Sequence, residues 1–162
     1  MYDEPLEERL RRVEKNKFTV KKQKRQKKRT KIYIGAHEVA VECSPKIRKK
    51  YFKIVERACY LLGDSDVFFL EPARAIRKIY ITDGSASQYL GNGEIEISRY
   101  YIDLYPRPKE VGVASVIIYL GCCAKGWSKR AALQRQSIFM MIYGDEKYKE
   151  EIEYLENLEE KL

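Results

Sequence analysis

The sequence predicts an α+β domain: a small, mostly antiparallel three-stranded sheet packed against a buried helix, with further helices and a basic N-terminal arm. Three observations lead there. Thirteen Lys and Arg against the single acid Glu14 give residues 9–31 a charge of +12, which leaves −4 for the other 139 residues of a chain whose net charge is +8. Residues 76–98 are strand-like segments punctuated by Asp83-Gly84 and Gly91-Asn92-Gly93, turn sequences that tolerate positive φ. Residues 111–124 run for fourteen positions without a charge and are apolar all round, as in a helix buried on most sides.

The elements follow in order. Pro5 suits a first helical position, Leu6, Leu10 and Val13 share a face, and Glu7–Arg11 and Glu8–Arg12 are i,i+4 pairs, so residues 5–16 are expected to form a short amphipathic helix. Residues 18–31 have too little apolar surface to offset their ordering entropy and are expected to order only on a partner. Residues 1–31 are thus the arm and 32–162 one globular domain. Ile32, Ile34, Val39 and Val41 alternate about a break at residues 35–38, which predicts a hairpin. Ser44-Pro45 should open a helix in which Ile47, Tyr51, Ile54, Ala58 and Leu61 keep helical spacing until Gly63.

Strands are expected over residues 76–82, 85–90 and 94–98, with Ile95 and Ile97 packed and Glu94 and Glu96 on a wet face. After the buried helix, Ser128 should cap a helix to Tyr143 that offers Leu133, Phe139, Met140 and Ile142 to the core. The last helix, residues 145–162, holds eight carboxylates and three lysines. Tyr148, Ile152, Leu155 and Leu162 fall at roughly heptad spacing, a seam for its own domain, for a homodimer through this C-terminal helix, or for masking the basic arm.

Composition narrows the function. The longest uncharged run is too short to cross a bilayer and the N-terminus is acidic where a signal peptide is basic, so a cytoplasmic protein without a membrane partner is expected, in the host cytoplasm if the source is viral. Charged residues at 35%, thirteen tyrosines and few amides are the balance of a chain that resists heat, which points to a hyperthermophilic archaeon or its virus. Cys43, Cys59, Cys122 and Cys123 form no C-x-x-C pair, so no metal is expected; they read as small hydrophobes, with a 43–59 or 59–122 bridge left open. His37 is the sole histidine and has no nucleophile pattern around it. Asp83, Glu94 and Glu96 could gather Mg²⁺ as a nuclease does, but no lysine follows at E-x-K spacing. Phosphate-binding glycine motifs are absent, so no cofactor is expected.

Two resemblances centre on the buried helix. The order of elements over residues 44–143, with Gly93-Glu94-Ile95-Glu96-Ile97-Ser98 leading to Val113-Ala114-Ser115-Val116-Ile117-Ile118, resembles the minimal zincin metallopeptidase fold, in which an edge strand leads into the helix bearing H-E-x-x-H. Here that helix reads Ile118-Tyr119-Leu120-Gly121-Cys122-Cys123, so the resemblance implies the fold without zinc or hydrolysis. Val113-Ala114, Ile118-Tyr119, Cys122, Gly126 and Lys129 are similar to the cyclin-type repeat of archaeal transcription factor B proteins, which implies duplex contact through Lys125, Lys129 and Arg130.

The arm favours a polyanion, because each phosphate neutralised releases counterions. The sequence therefore predicts a non-catalytic nucleic-acid-binding protein, with DNA ahead of RNA. Its phosphate contacts would come from Lys21, Lys22, Lys24, Arg25, Lys27, Lys28, Arg29 and Lys31, and from Lys49, Lys50 and Lys53 if the helix opened by Ser44-Pro45 faces the same way. The rival expectation is a protein-interaction module that grips an extended peptide on an edge strand near residues 94–98.

Overall fold

The computed structural model describes residues 29–162. The helix expected over residues 5–16 and most of the segment after it lie outside the described residues. Five strands form one mixed sheet in the order β1-β2-β3-β5-β4. They are β1 (Arg29–Ile34), β2 (His37–Cys43), β3 (Lys78–Thr82), β4 (Gln88–Gly91) and β5 (Glu94–Ser98). Five strands thus replace the three-stranded sheet expected, and the mostly antiparallel pairing gives way to a parallel centre: β2, β3 and β5 run together, while only the β1–β2 and β4–β5 hairpins are antiparallel. Helices between β2 and β3 make that crossover, which joins the first hairpin to the later strands.

β1 begins at Arg29, so residues 29–31, assigned from sequence to the arm, are paired with β2: Arg29 lies opposite Glu42 and Lys31 opposite Ala40. Ile32, Ile34, Val39, Val41, Ile79, Ile81, Ile95 and Ile97 make one buried face. The other face is polar but not simply wet. Glu96 is 8% exposed there and accepts a hydrogen bond from Gln88 at 2.8 Å, while Lys78 pairs with Glu42 at 3.1 Å.

The helices are α1 (Lys49–Gly63), α2 (Val67–Ala73), α3 (Arg99–Leu104), α4 (Lys109–Ala124), α5 (Lys129–Gly144) and α6 (Lys149–Glu160). α1 starts later than Ser44-Pro45 suggested: Ile47 N–H bonds the Ser44 carbonyl in a separate turn, and Arg48 precedes the helix without a side-chain cap. Its end at Gly63 is fixed by contact, since a Cβ there would sit 2.5 Å from the Gly35 nitrogen. α2 and α3 are short helices that apolar periodicity does not reveal. Each carries a legible cap, however, as Asp66 accepts from Phe68 N–H and Ser98 from Tyr100 N–H.

α4 is the hub, packed by α1, α2, α5 and β4, and Val113, Ala114, Ile117, Ile118 and Cys122 are fully buried along it. Gly121 permits its crossing of α2, because a Cβ would strike the Pro72 carbonyl. Ser128 caps α5 as expected. Ile142, however, is 57% exposed and contributes nothing to the core. Tyr148, on the short 3-10 turn Asp145–Tyr148, enters the core completely: its hydroxyl accepts from Gly112 N–H at 2.9 Å and donates to the Pro108 carbonyl at 2.6 Å. It thereby closes the first turn of α4, whose leading N–H groups have no intrahelical partner. Tyr148 and Leu155 of the expected C-terminal seam are thus buried within the domain, with α6 on α5, and Leu162 stays 52% exposed.

Candidate nucleic-acid interface

The parallel strands decide which residues meet. Cys43, Thr82 and Ser98 end β2, β3 and β5 on one side of the sheet, and the Arg29–Glu42 pairing puts the start of β1 there too. α1 begins six residues after Cys43 and α3 directly after Ser98. The chain therefore enters the fold at the end that holds the first turns of both helices. The hydroxyl of Tyr51 joins them by donating to the Asp103 carboxylate, at 2.9 and 2.8 Å from its two oxygens.

α1 is amphipathic here for a simple reason. Tyr51, Ile54, Val55, Ala58, Cys59 and Leu62 face the core, which leaves Lys49, Lys50, Lys53 and Arg57 on the exposed side, with Lys46 and Arg48 just ahead of the helix. Among the described residues none of these six cations pairs with a carboxylate. Lys50 rests 4.9 Å from the Tyr51 ring centroid, a contact that leaves its charge available. From Lys49 to Arg57 the stripe covers about 12 Å of helix axis.

Of the arm residues predicted to bind, Lys21, Lys22, Lys24, Arg25, Lys27 and Lys28 lie outside the described residues. Lys31 is exposed but projects from the polar face of the sheet, opposite to α1, and pairs with Glu38 at 3.1 Å. The hydrogen bond to Glu38, and then its charge, raise the Lys31 pKa. Lys31 is thus not grouped with Lys49, Lys50 and Lys53. Lys125, Lys129 and Arg130 are also elsewhere. α4 begins beside α3, where the Lys109 ammonium bonds the carbonyls of Ile102, Asp103 and Tyr105, and it ends beside α2, where Lys125 lies 3.8 Å from Glu71. A helix of sixteen residues, about 24 Å long, separates them from the basic end.

The other candidates are engaged. His37 Nε2 lies 2.6 Å from the Ile76 carbonyl, to which it can donate. Asp83 pairs with Arg99 at the C-terminal end of the strands, whereas Glu94, at the opposite end, accepts from Tyr80 at 2.7 Å and Arg77 at 3.1 Å. These acids do not converge, and no described cluster of three or more His, Cys, Asp or Glu could hold a metal. All four cysteines are free thiols, so neither bridge left open by the sequence is present. Burial pushes the thiols up, Cys43 and Cys122 to about 11 and Cys59 to about 12, far from the range of an activated nucleophile.

β5 lies between β3 and β4, so the expected peptide-binding edge at residues 94–98 is corrected: the edge strand on that side is β4. A cavity of about 330 Å³ opens between α1, α4 and α5, lined by Arg57, Tyr60, Leu61, Pro108, Glu110, Val111 and Tyr143. It lacks a buried charged group that would select a ligand. No described helix is long and apolar enough to cross a membrane. Comparison with protein families, curated proteins and solved structures finds no match to this chain.

Proposed function

We propose that this protein binds nucleic acid without catalysis, mainly through phosphates, at the end of the sheet where the basic arm joins the fold. The observation that carries the reading is the convergence there of the arm's attachment point with the exposed basic face of α1, whose lysines and arginine pair with no carboxylate among the described residues. The +12 charge of residues 9–31, most of which precede β1, favours a polyanion over any neutral partner. Phosphate contacts position a ligand without reading its bases, so sequence specificity is low. High protonation of the thiols and the engagement of His37 support binding rather than nucleophilic chemistry.

The test compares the full chain with one that begins at Arg29, which keeps β1 intact, by fluorescence anisotropy of labelled DNA across salt concentrations. The full chain should lose about 10³-fold or more in affinity between low and moderate salt if six or more contacts form. The shortened chain should bind more weakly and with a shallower salt slope. Equal binding by both chains would remove the arm from the interface, and salt-insensitive binding would end the phosphate reading.

A second reading has one observation in its favour. β4 is an edge strand beside α4, with Leu90 50% exposed, an arrangement open to an extended peptide as the zincin-like resemblance implies. Amide hydrogen exchange slowed selectively at Tyr89 and Leu90 on adding such a peptide would support it; protection confined to α1 would argue against it.

A further inference from the structure

We infer that the ligand is taken as a single strand, whose bases stack on Tyr100 and Tyr101 beside the basic face of α1. The inference rests on the phosphate-binding reading and adds the form of the nucleic acid. Tyr100 is 50% and Tyr101 41% exposed, although a tyrosine ring gains by leaving water. The core makes no use of them, since Ile102 alone of α3 is buried.

The platform under these rings is fixed. Ser98 caps the start of α3, Lys109 binds three carbonyls at its end, and Tyr51 holds Asp103 from the side. The rings are also connected to the cations. Lys50 lies over the Tyr51 ring, Tyr51 donates to Asp103 in the helix that carries the two tyrosines, Arg99 pairs with Asp83, and the Arg99 guanidinium sits 4.3 Å from the Tyr100 ring centroid. Successive helical residues point about 100° apart, so the two tyrosines present separate faces to two bases.

The chemistry of the ligand follows. A duplex keeps its base faces stacked and offers this surface only phosphates, whereas a single strand offers both phosphates for Lys49, Lys50 and Lys53 and free π-faces for the tyrosines. Stacking on an aromatic side chain is insensitive to base identity, which agrees with low specificity.

The test uses the full chain, an oligothymidine strand of roughly 20 nucleotides and a duplex of equal length. Tyr100→Ala/Tyr101→Ala should weaken single-strand binding about tenfold or more and leave duplex binding unchanged, while Tyr100→Phe/Tyr101→Phe should retain single-strand affinity. Photo-crosslinking of the wild-type protein to an iodouracil-bearing strand should label Tyr100 or Tyr101, independently of how the variants fold. Unchanged single-strand binding by the alanine variant, equal losses on both ligands, or cross-links confined to other segments would overturn the inference while leaving the phosphate reading intact. Failure of the wild-type protein to bind either ligand would overturn both.

Discussion

Replacing Lys49, Lys50 and Lys53 together by alanine removes three exposed charges that have no carboxylate partner among the described residues. Each neutralised phosphate contributes about −0.9 to the slope of log K against log salt on duplex DNA and about −0.7 on a single strand. The triple variant should therefore have a slope shallower by about 2.7 on duplex or about 2.1 on a single strand. Taking the counterion term as vanishing near 1 M salt, the same contacts are worth roughly 500-fold and roughly 100-fold in affinity at about 0.1 M. The three side chains lie on the outer face of α1, and alanine favours helix, so the domain should fold as before. Anisotropy titrations at five or so salt concentrations give both quantities, with circular dichroism as the control for folding. A variant that folds normally and keeps the wild-type slope would refute the assignment of α1 to the interface.

Other perturbations probe the framework that brings these residues together. Gly121→Ala forces a Cβ into the Pro72 carbonyl, with backbone on both sides, and should destabilise the domain by roughly 1–3 kcal/mol in urea unfolding. Tyr148→Phe leaves the buried Gly112 N–H without its hydroxyl acceptor and should cost about 1–3 kcal/mol by the same measurement. Folded-state thiol pKa values pushed from 9.0 to about 11 at Cys43 and about 12 at Cys59 mean that the unfolded chain releases these protons first. Stability should be unaffected by these groups below pH 9 and fall as pH rises from there toward 11, seen as a declining urea midpoint; a midpoint that rises over that window would contradict the burial of these thiols.

Much of the helical architecture was legible because its signals are local. The charge-free run at residues 111–124 marks α4, Ser128 marks the start of α5, and the Gly91-Asn92-Gly93 turn has positive φ at all three positions. Asp66 and Ser98 could have revealed α2 and α3, but helices of seven and six residues leave almost no periodicity to read. Ile142 departs from its expected place in the core for a different reason: an apolar residue on a helix says nothing of whether a neighbour arrives to cover it.

Sequence by itself determined the location of the positive charge and the apolar pattern of α1 that leaves its lysines outward, because both depend on residues adjacent in the chain or one helical turn apart. Tertiary structure alone decided that Arg29, Lys49 and Tyr100 share one end of the sheet while Lys125 lies at the other. Those relations depend on β2, β3 and β5 pairing in parallel although none of them is joined to the next by a tight turn, and strand direction within a sheet leaves no mark on the spacing of side chains along any one strand.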